Sequence, residues 1–105
     1  MEQELLKIIK HYGINNQLKY IHSEYFELDE AIMEYESAGW DFSDEGCIDI
    51  EKEYKNHIAE EIADVMVMLE QFRLFYDIPS MQITEIMQQK IERQLKRIEE
   101  KNEKE

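Results

Sequence analysis

Two pairs of acidic residues in this chain have a spacing that could serve chemistry. Glu24 and Glu27 are three positions apart, and further along the chain Glu61 and Asp64 have the same spacing. In an α-helix, residues three apart lie on one face, so each pair would project both carboxylates in the same direction. If the two helices pack face to face, four like charges meet, and buried carboxylates must be protonated, paired or bound to a metal.

The segment that contains these acids has few basic residues to pair with them. Between Ser23 and Asp64 there are fifteen acids, and the only bases are Lys52 and Lys55. A divalent cation is therefore the simplest partner, and a set of oxygen ligands favours Mg²⁺, with Mn²⁺ also possible, over zinc. The alternative is a solvated face, because paired acids at the edge of an apolar stripe are common in acidic helices.

Other metal and nucleophile motifs are missing from the sequence. A di-iron centre in a helical bundle needs Glu-x-x-His pairs, and none of His11, His22 and His57 follows a Glu by three positions. The chain also contains no HExxH motif, no phosphate-binding glycine loop and no GxSxG motif. Its one cysteine, Cys47, has no partner at metal-ligand spacing. The two acidic pairs are therefore the strongest candidate for a site.

Length and composition predict one small domain over residues 1–105. Hydrophobic residues make up 43% of the 105 residues, which is enough for a core if they share a face. The net charge is −13, and the whole excess lies between residues 23 and 64. Because binding to nucleic acid depends on clustered Lys and Arg, we expect no nucleic-acid partner.

Cysteine content and hydrophobic runs bear on where the protein works. A single cysteine cannot form an internal disulfide, which favours a reducing compartment. No apolar run approaches the roughly 20 residues of a membrane span. The segment MEQELLKIIK is amphipathic and begins with the acids Glu2 and Glu4, unlike a signal peptide. We therefore expect a soluble cytoplasmic protein with no membrane partner.

Hydrophobic periodicity predicts helices and gives no signal for strands. We expect four helices: one over 2–12 that ends at Gly13, one from a cap at Asn15 or Asn16 to Ser37, one over 51–76, and one that follows Pro79 with Ser80 as its cap. Turn-forming residues predict a loop over 38–49, and the last residues, 101–105, should fray. The predicted fold class is all-α.

Apolar residues in the three longer helices recur at intervals of three and four, which predicts one buried stripe on each helix. The stripes comprise Leu18, Ile21, Tyr25, Leu28, Ile32 and Tyr35; Ile58, Ile62, Val65, Leu69, Phe72 and Tyr76; and Ile83, Met87, Ile91, Leu95 and Ile98. Helices of this kind favour a four-helix bundle. Because the first helix is short and the stripes are wide, we expect part of the apolar surface to face a second copy, in a homodimer or homotetramer.

The residues around the two acidic pairs also resemble a known family. SEYFELDEAI and HIAEEIADVMVMLEQF are similar to the MazG-type nucleoside triphosphate pyrophosphohydrolases, an all-α superfamily that includes dimeric dUTPases and phosphoribosyl-ATP pyrophosphohydrolase. Its mark is Glu-Glu-x-x-Glu on one helix and Glu-x-x-Asp on the next. Glu24 and Glu27 match the last two acids of the first motif, and Glu61 and Asp64 match the second motif. The fourth helix matches more loosely, through KIERQLKRI.

The resemblance implies an all-α NTP pyrophosphohydrolase fold and an activity. A nucleoside triphosphate would be hydrolysed between its α and β phosphates to give the monophosphate and pyrophosphate, in nucleotide-pool housekeeping. Glu24, Glu27, Glu61 and Asp64 would be the catalytic residues and would coordinate Mg²⁺. The implied chemistry agrees with the residue types, because phosphoryl transfer depends mainly on positioning and on neutralisation of charge.

Basic residues of the fourth helix are candidates for phosphate binding. Lys90, Arg93 and Arg97 lie within about 60° of one another beside the apolar face, and the family often holds the triphosphate with basic residues there. The alternative is surface ion pairing, as between Glu92 and Lys96 at i, i+4.

Two further residues have alternative interpretations. Trp40, in the predicted loop, could stack on a base or fill a gap in the packing. His57, one turn before Glu61, could orient that ligand or contribute to packing.

Position 23 departs from the family pattern. Ser23 stands where the first glutamate of the first motif is common, and that glutamate would help to orient or deprotonate the attacking water. A second function therefore stays open, in which the chain is a catalytically silent acidic helical module that binds a protein partner.

Overall fold

The computed structural model describes residues 1–104. Within this range the chain forms four α-helices and no strand, so the all-α prediction is confirmed. The helices are α1 (Glu2–Tyr12), α2 (Ile14–Ser37), α3 (Glu45–Phe75) and α4 (Ser80–Lys104). No helix within residues 1–104 combines the length and the hydrophobicity that a membrane span needs.

A single residue separates α1 from α2. Gly13 adopts φ 87°, a left-handed conformation that residues with a side chain rarely adopt, and its amide donates to the Ile9 carbonyl. This one residue joins the two helices, and α2 begins at Ile14 without a side-chain cap. The predicted caps Asn15 and Asn16 are wrong, since both lie inside the helix.

The connection between α2 and α3 is shorter than predicted. The Asp44 side chain accepts a hydrogen bond from the Gly46 amide at 3.0 Å and caps α3, which therefore begins at Glu45 rather than near residue 51. The loop spans residues 38–44, and Gly46, one of the turn-forming residues that predicted a longer loop, lies in the first turn of α3.

The helices α2 and α3 lie antiparallel along their length. Near the start of α2, Gln17 Nε2 donates to Gln71 Oε1 near the end of α3 at 2.8 Å. Near the end of α2, the Tyr35 hydroxyl donates to Glu51 Oε1 near the start of α3 at 2.9 Å. These two contacts fix the register of the pair, and α1 packs mainly against α3 through Leu5 and Ile9.

Arg73 holds one end of this assembly together. Its guanidinium donates to Glu70 on its own helix, to Glu2 of α1 at 2.9 Å, and to the Ile78 carbonyl at 2.8 Å. The side chain is 8% exposed, so these bonds replace most of its hydration. They tie the start of α1 to the turn that leads into α4.

The apolar stripes of α2 and α3 are not the faces that the single chain buries. No residue of the two predicted stripes is fully buried; Tyr25 is 64% exposed and Leu69 is 53% exposed. The contact face of α2 instead carries Gln17, Glu24 and Ala31. The prediction assumed that the most apolar face of each helix packs within the chain. In the structure, the face that packs is rotated from the apolar stripe and is more polar.

The fourth helix stands apart from the other three. Every side chain from Ser80 to Asn102 is exposed, so the predicted core face of α4 is uncovered within the single chain. Thus α1, α2 and α3 form a bundle, and α4 extends away from it. The helix continues to Lys104, against the fraying expected over 101–105, and Glu105 lies outside the described residues.

Candidate metal centre

The antiparallel pairing of α2 and α3 brings the two acidic motifs together. Each of Glu24, Glu27, Glu61 and Asp64 offers a carboxylate oxygen, and these four oxygens all lie within 4.8 Å of one another. Because the i, i+3 spacing faces each pair inward, one register of the two helices suffices to converge all four. We call these four residues the acidic cluster.

Two members of the acidic cluster are buried and two are exposed. Glu24 is 6% exposed and Glu61 is 9% exposed, whereas Glu27 and Asp64 lie at the open side. Glu24 Oε2 and Glu61 Oε2 have no contact with solvent and accept no hydrogen bond from residues 1–104. Buried carboxylate oxygens without partners are costly, so a proton or a bound cation would stabilise this cluster.

The pKa values of the two buried acids also indicate that the acidic cluster favours a proton or a cation. Burial raises the pKa of Glu24, and the charges of Glu27 and Asp64 raise it further. Burial also raises the pKa of Glu61, again with contributions from Glu27 and Asp64. A bound cation would reverse these effects, because it favours the ionised carboxylate.

The donor set fits a hard divalent cation. All four groups are carboxylates, and the spacing of their oxygens is consistent with shared coordination of an ion that takes oxygen ligands at about 2.0–2.6 Å. The two exposed members leave one side open for water or substrate. The residues present therefore suit Mg²⁺ or Mn²⁺, and they lack the thiolate and imidazole ligands typical of structural zinc.

Two other side chains contact the buried members. Tyr20, one turn before Glu24, has its pKa raised mainly by its hydrogen-bonding interaction with that carboxylate. His57 Nδ1 lies 4.0 Å from Glu61 Oε1, and a charged imidazole there would lower the pKa of Glu61. The His57 side chain is half exposed, so it lies at the rim of the cluster and not in the core.

A cavity of about 510 Å³ opens beside the acidic cluster. Glu24 and Asp64 line one part of it, and the buried amides of Gln17 and Gln71 line another. Neither glutamine was predicted as a site residue. A signal was present, since Gln17 lies seven positions before Glu24 and Gln71 seven positions after Asp64, and residues seven apart share a helix face.

Trp40 lies outside this cavity. Its Nε1 donates to the Tyr35 carbonyl at 2.9 Å, and its ring packs against Tyr35 and Tyr54 with centroid distances of 5.3 and 5.0 Å. The indole therefore fills the junction of α2, α3 and their loop, as in the packing alternative. Stacking of Trp40 on a base stays a prediction.

The basic residues of α4 are not part of the acidic cluster within the single chain. Lys90, Arg93 and Arg97 are exposed on a helix that does not pack against α2. Within residues 1–102 none of the three forms an ion pair, and neither do Glu92 and Lys96. Their role in phosphate binding stays a prediction.

Comparisons with known protein families, with curated protein sequences and with solved structures found no significant match to this chain.

The raised pKa values of Glu24 and Glu61 predict how the metal-free stability depends on pH. The folded protein holds these protons more tightly than the unfolded chain, in which a Glu titrates near 4.5. Their contribution is therefore fully present below pH 4.5 and is lost as the pH rises through the raised values. We expect the free energy of unfolding, measured with urea in the presence of EDTA, to fall over this range.

The matched comparison uses two double variants that remove the same number of charges. Glu24→Gln with Glu61→Gln should flatten the decline above pH 4.5, whereas Glu4→Gln with Glu60→Gln should retain it, since these two acids are exposed. Equal slopes for both double variants would contradict the prediction. Glu51 and Glu70, whose hydrogen bonds lower their pKa values, contribute with the opposite sign, but both double variants contain them and so the comparison removes their effect.

Proposed function

We propose that this protein is a Mg²⁺-dependent nucleoside triphosphate pyrophosphohydrolase. One water and one triphosphate would give a nucleoside monophosphate and pyrophosphate, with cleavage of the bond that bridges the α and β phosphates. The observation that carries this proposal is the acidic cluster, whose buried oxygens on Glu24 and Glu61 have no partner among the described residues. The likeness of both acidic motifs to the MazG-type family supports it.

Within this proposal the four acids hold the cation. Glu24 and Glu61 supply the buried ligands, and Glu27 and Asp64 supply the ligands at the open side that the phosphates approach. A cation bound there would supply charge neutralisation for the triphosphate and a more acidic water. The acidic cluster alone would repel a polyanion, so substrate binding should require the metal.

The phosphates also need donors, which the acidic cluster lacks. Lys90, Arg93 and Arg97 are the candidates, but they lie on α4, away from the bundle of their own chain. We propose that they reach the phosphates at the site of a second copy, in a homodimer or homotetramer. In that arrangement, α4 would place its cations beside an acidic centre.

The apolar surface favours such an assembly. No residue in the stripes of α2 and α3 is fully buried and half of them are exposed, as is the whole apolar face of α4. Large contiguous apolar surfaces of this kind mark interfaces. A long amphipathic helix with so few tertiary contacts is also marginally stable in water, because helical stability in proteins comes mostly from packing. A second copy would cover both surfaces at once.

The function is tested with purified protein and a panel of canonical and modified ribo- and deoxyribonucleoside triphosphates. We expect monophosphate and pyrophosphate in equal amounts, with turnover that requires Mg²⁺ or Mn²⁺ and stops in EDTA. Release of inorganic phosphate without pyrophosphate would contradict the proposed cleavage position. If no triphosphate is hydrolysed, the alternative of a silent acidic module that binds a protein partner is favoured.

A further inference from the structure

The cavity beside the acidic cluster has walls of two kinds. Ile8, Val67 and Met68 make part of it apolar, and Tyr12 and Tyr20 add aromatic rings. At a volume of about 510 Å³ it lies within the range of small-molecule sites, which are mostly apolar with a few placed polar groups. Such walls suit a flat, weakly polar ring.

The polar groups in this cavity, apart from the acids, include two buried amides. Gln17 is 6% exposed and Gln71 is 2% exposed, and Gln17 Nε2 donates to Gln71 Oε1 at 2.8 Å. This bond uses one of the two Gln17 amide hydrogens and leaves its carbonyl oxygen free to accept. Among the described residues, Gln71 Nε2 donates to one weak acceptor, Met68 Sδ, at 3.7 Å.

Buried amides with unused hydrogen-bonding capacity are a recognition device. A carboxamide offers a donor and an acceptor side by side, which matches the edge of a nucleobase that carries an adjacent acceptor and donor. All four bases carry such an edge, but the order of donor and acceptor in adenine and cytosine is reversed in guanine and thymine. The bond to Gln71 fixes the orientation of the Gln17 amide, so a base with the wrong order would leave the buried amide unpaired, at a cost in binding. The pair can therefore select between these two classes of base.

The distance between the amides and the acids also fits a nucleotide. Gln17 precedes Glu24 by seven residues on α2, and Gln71 follows Asp64 by seven on α3. Seven residues span about 10 Å along a helix, so on each helix the glutamine and the acid lie about 10 Å apart on the same face. The base edge and the 5′ phosphates of a nucleotide lie at opposite ends of the molecule, so one ligand can reach both sets of groups.

We infer that the cavity receives the base of the triphosphate, and that Gln17, held by Gln71, determines which base is accepted. This inference rests on the proposed function for the phosphate end of the ligand. The base ring would lie between the apolar wall and the tyrosines, with its hydrogen-bonding edge on the Gln17 amide. The phosphates would then lie at Glu24 and Asp64.

The test uses a double variant, Gln17→Met with Gln71→Met. Removing both partners avoids an unpaired buried amide and keeps the side-chain volume, so the fold should survive. Values of kcat/KM are measured for the four canonical deoxynucleoside triphosphates with Mg²⁺. We expect the wild-type preference for its best base over its worst to fall about 10- to 100-fold in the variant.

The control is Gln3→Met, an exposed glutamine of α1 outside the cavity, which should keep the wild-type preference. A second readout needs no hydrolysis: the melting temperature with each unphosphorylated nucleoside. We expect the preferred nucleoside to stabilise the wild type and the control, and not the double variant.

The outcomes separate the two proposals. If triphosphates are hydrolysed but the double variant keeps the wild-type base preference, the proposal of a base-binding cavity is wrong and the proposed enzymatic function is retained. The same conclusion holds if the wild type hydrolyses all bases equally. If no triphosphate is hydrolysed but a nucleoside stabilises the protein only when Gln17 and Gln71 are present, the base-binding cavity is supported and the proposed enzymatic function is wrong. If there is neither hydrolysis nor stabilisation by a nucleoside, both proposals are wrong.

Discussion

Replacing Glu61 with glutamine is expected to lower kcat by about 100- to 1000-fold while the protein stays folded. Glutamine keeps the shape of the side chain but is neutral, and so it is a much weaker ligand for a hard cation. Glu61 is 9% exposed, and one of its carboxylate oxygens has no partner in the described structure. Without metal, the variant should be at least as stable as the wild type, because one buried like charge is gone.

The adjacent residue provides the matched control for this variant. Glu60→Gln removes the same charge one position away, but Glu60 is exposed and lies outside the acidic cluster. Steady-state kinetics should show wild-type turnover for this control. Mg²⁺ should raise the melting temperature of the wild type and the control, and not that of Glu61→Gln.

Two results would contradict this prediction. Unchanged turnover in Glu61→Gln would remove the acidic cluster from the chemistry, whereas an equal loss in both variants would indicate an effect of net charge. Either result would leave the cluster without its proposed role.

Placing two charges on the apolar face of α4 is expected to dissociate the protein into single chains. Ile91 is 49% exposed and Leu95 is 57% exposed in the single chain, and they lie one turn apart on the same face. If this face packs against a second copy, Ile91→Glu with Leu95→Glu buries two unpaired carboxylates, which an interface does not tolerate. Light scattering should report the protomer mass for this variant and a multiple of it for the wild type.

The control adds the same charges on the opposite face of α4. Gln82→Glu with Gln89→Glu places both carboxylates about 180° from the apolar stripe, where solvent can hydrate them, and this variant should keep the wild-type mass. Activity gives a second readout: if the cations of α4 serve the site of another copy, the dissociated variant should also lose turnover. A wild type that is already a single chain, or an apolar-face variant that stays associated, would contradict self-association through α4.

The helices themselves could be predicted from short-range patterns. Gly13 and Pro79 interrupt periodic segments, and helix ends at such residues follow from backbone chemistry that the local sequence determines. The start of α3 was harder to predict. Asp44 is a good helix cap, but the neighbouring glycines and serines are equally typical of a turn. Only the geometry of the Asp44 side chain decides between them.

The acidic cluster could be predicted in part. The i, i+3 spacing of Glu24 with Glu27, and of Glu61 with Asp64, determines that each pair shares a face of its helix. Whether the two faces meet depends on the rotation and register of α2 against α3, which no spacing within one helix determines. The same register places Gln17 on Gln71, a contact across 54 positions of the chain.

The sequence by itself determined the all-α class, the approximate helices and the two pairs of carboxylates that share a helix face. These properties depend on neighbours within a few positions, where backbone geometry and helical period dominate. Only the tertiary structure decided which faces pack, since burial is a property of the whole chain. It turned the polar faces of α2 and α3 inward, converged the four acids beside a cavity, and left the apolar face of α4 exposed.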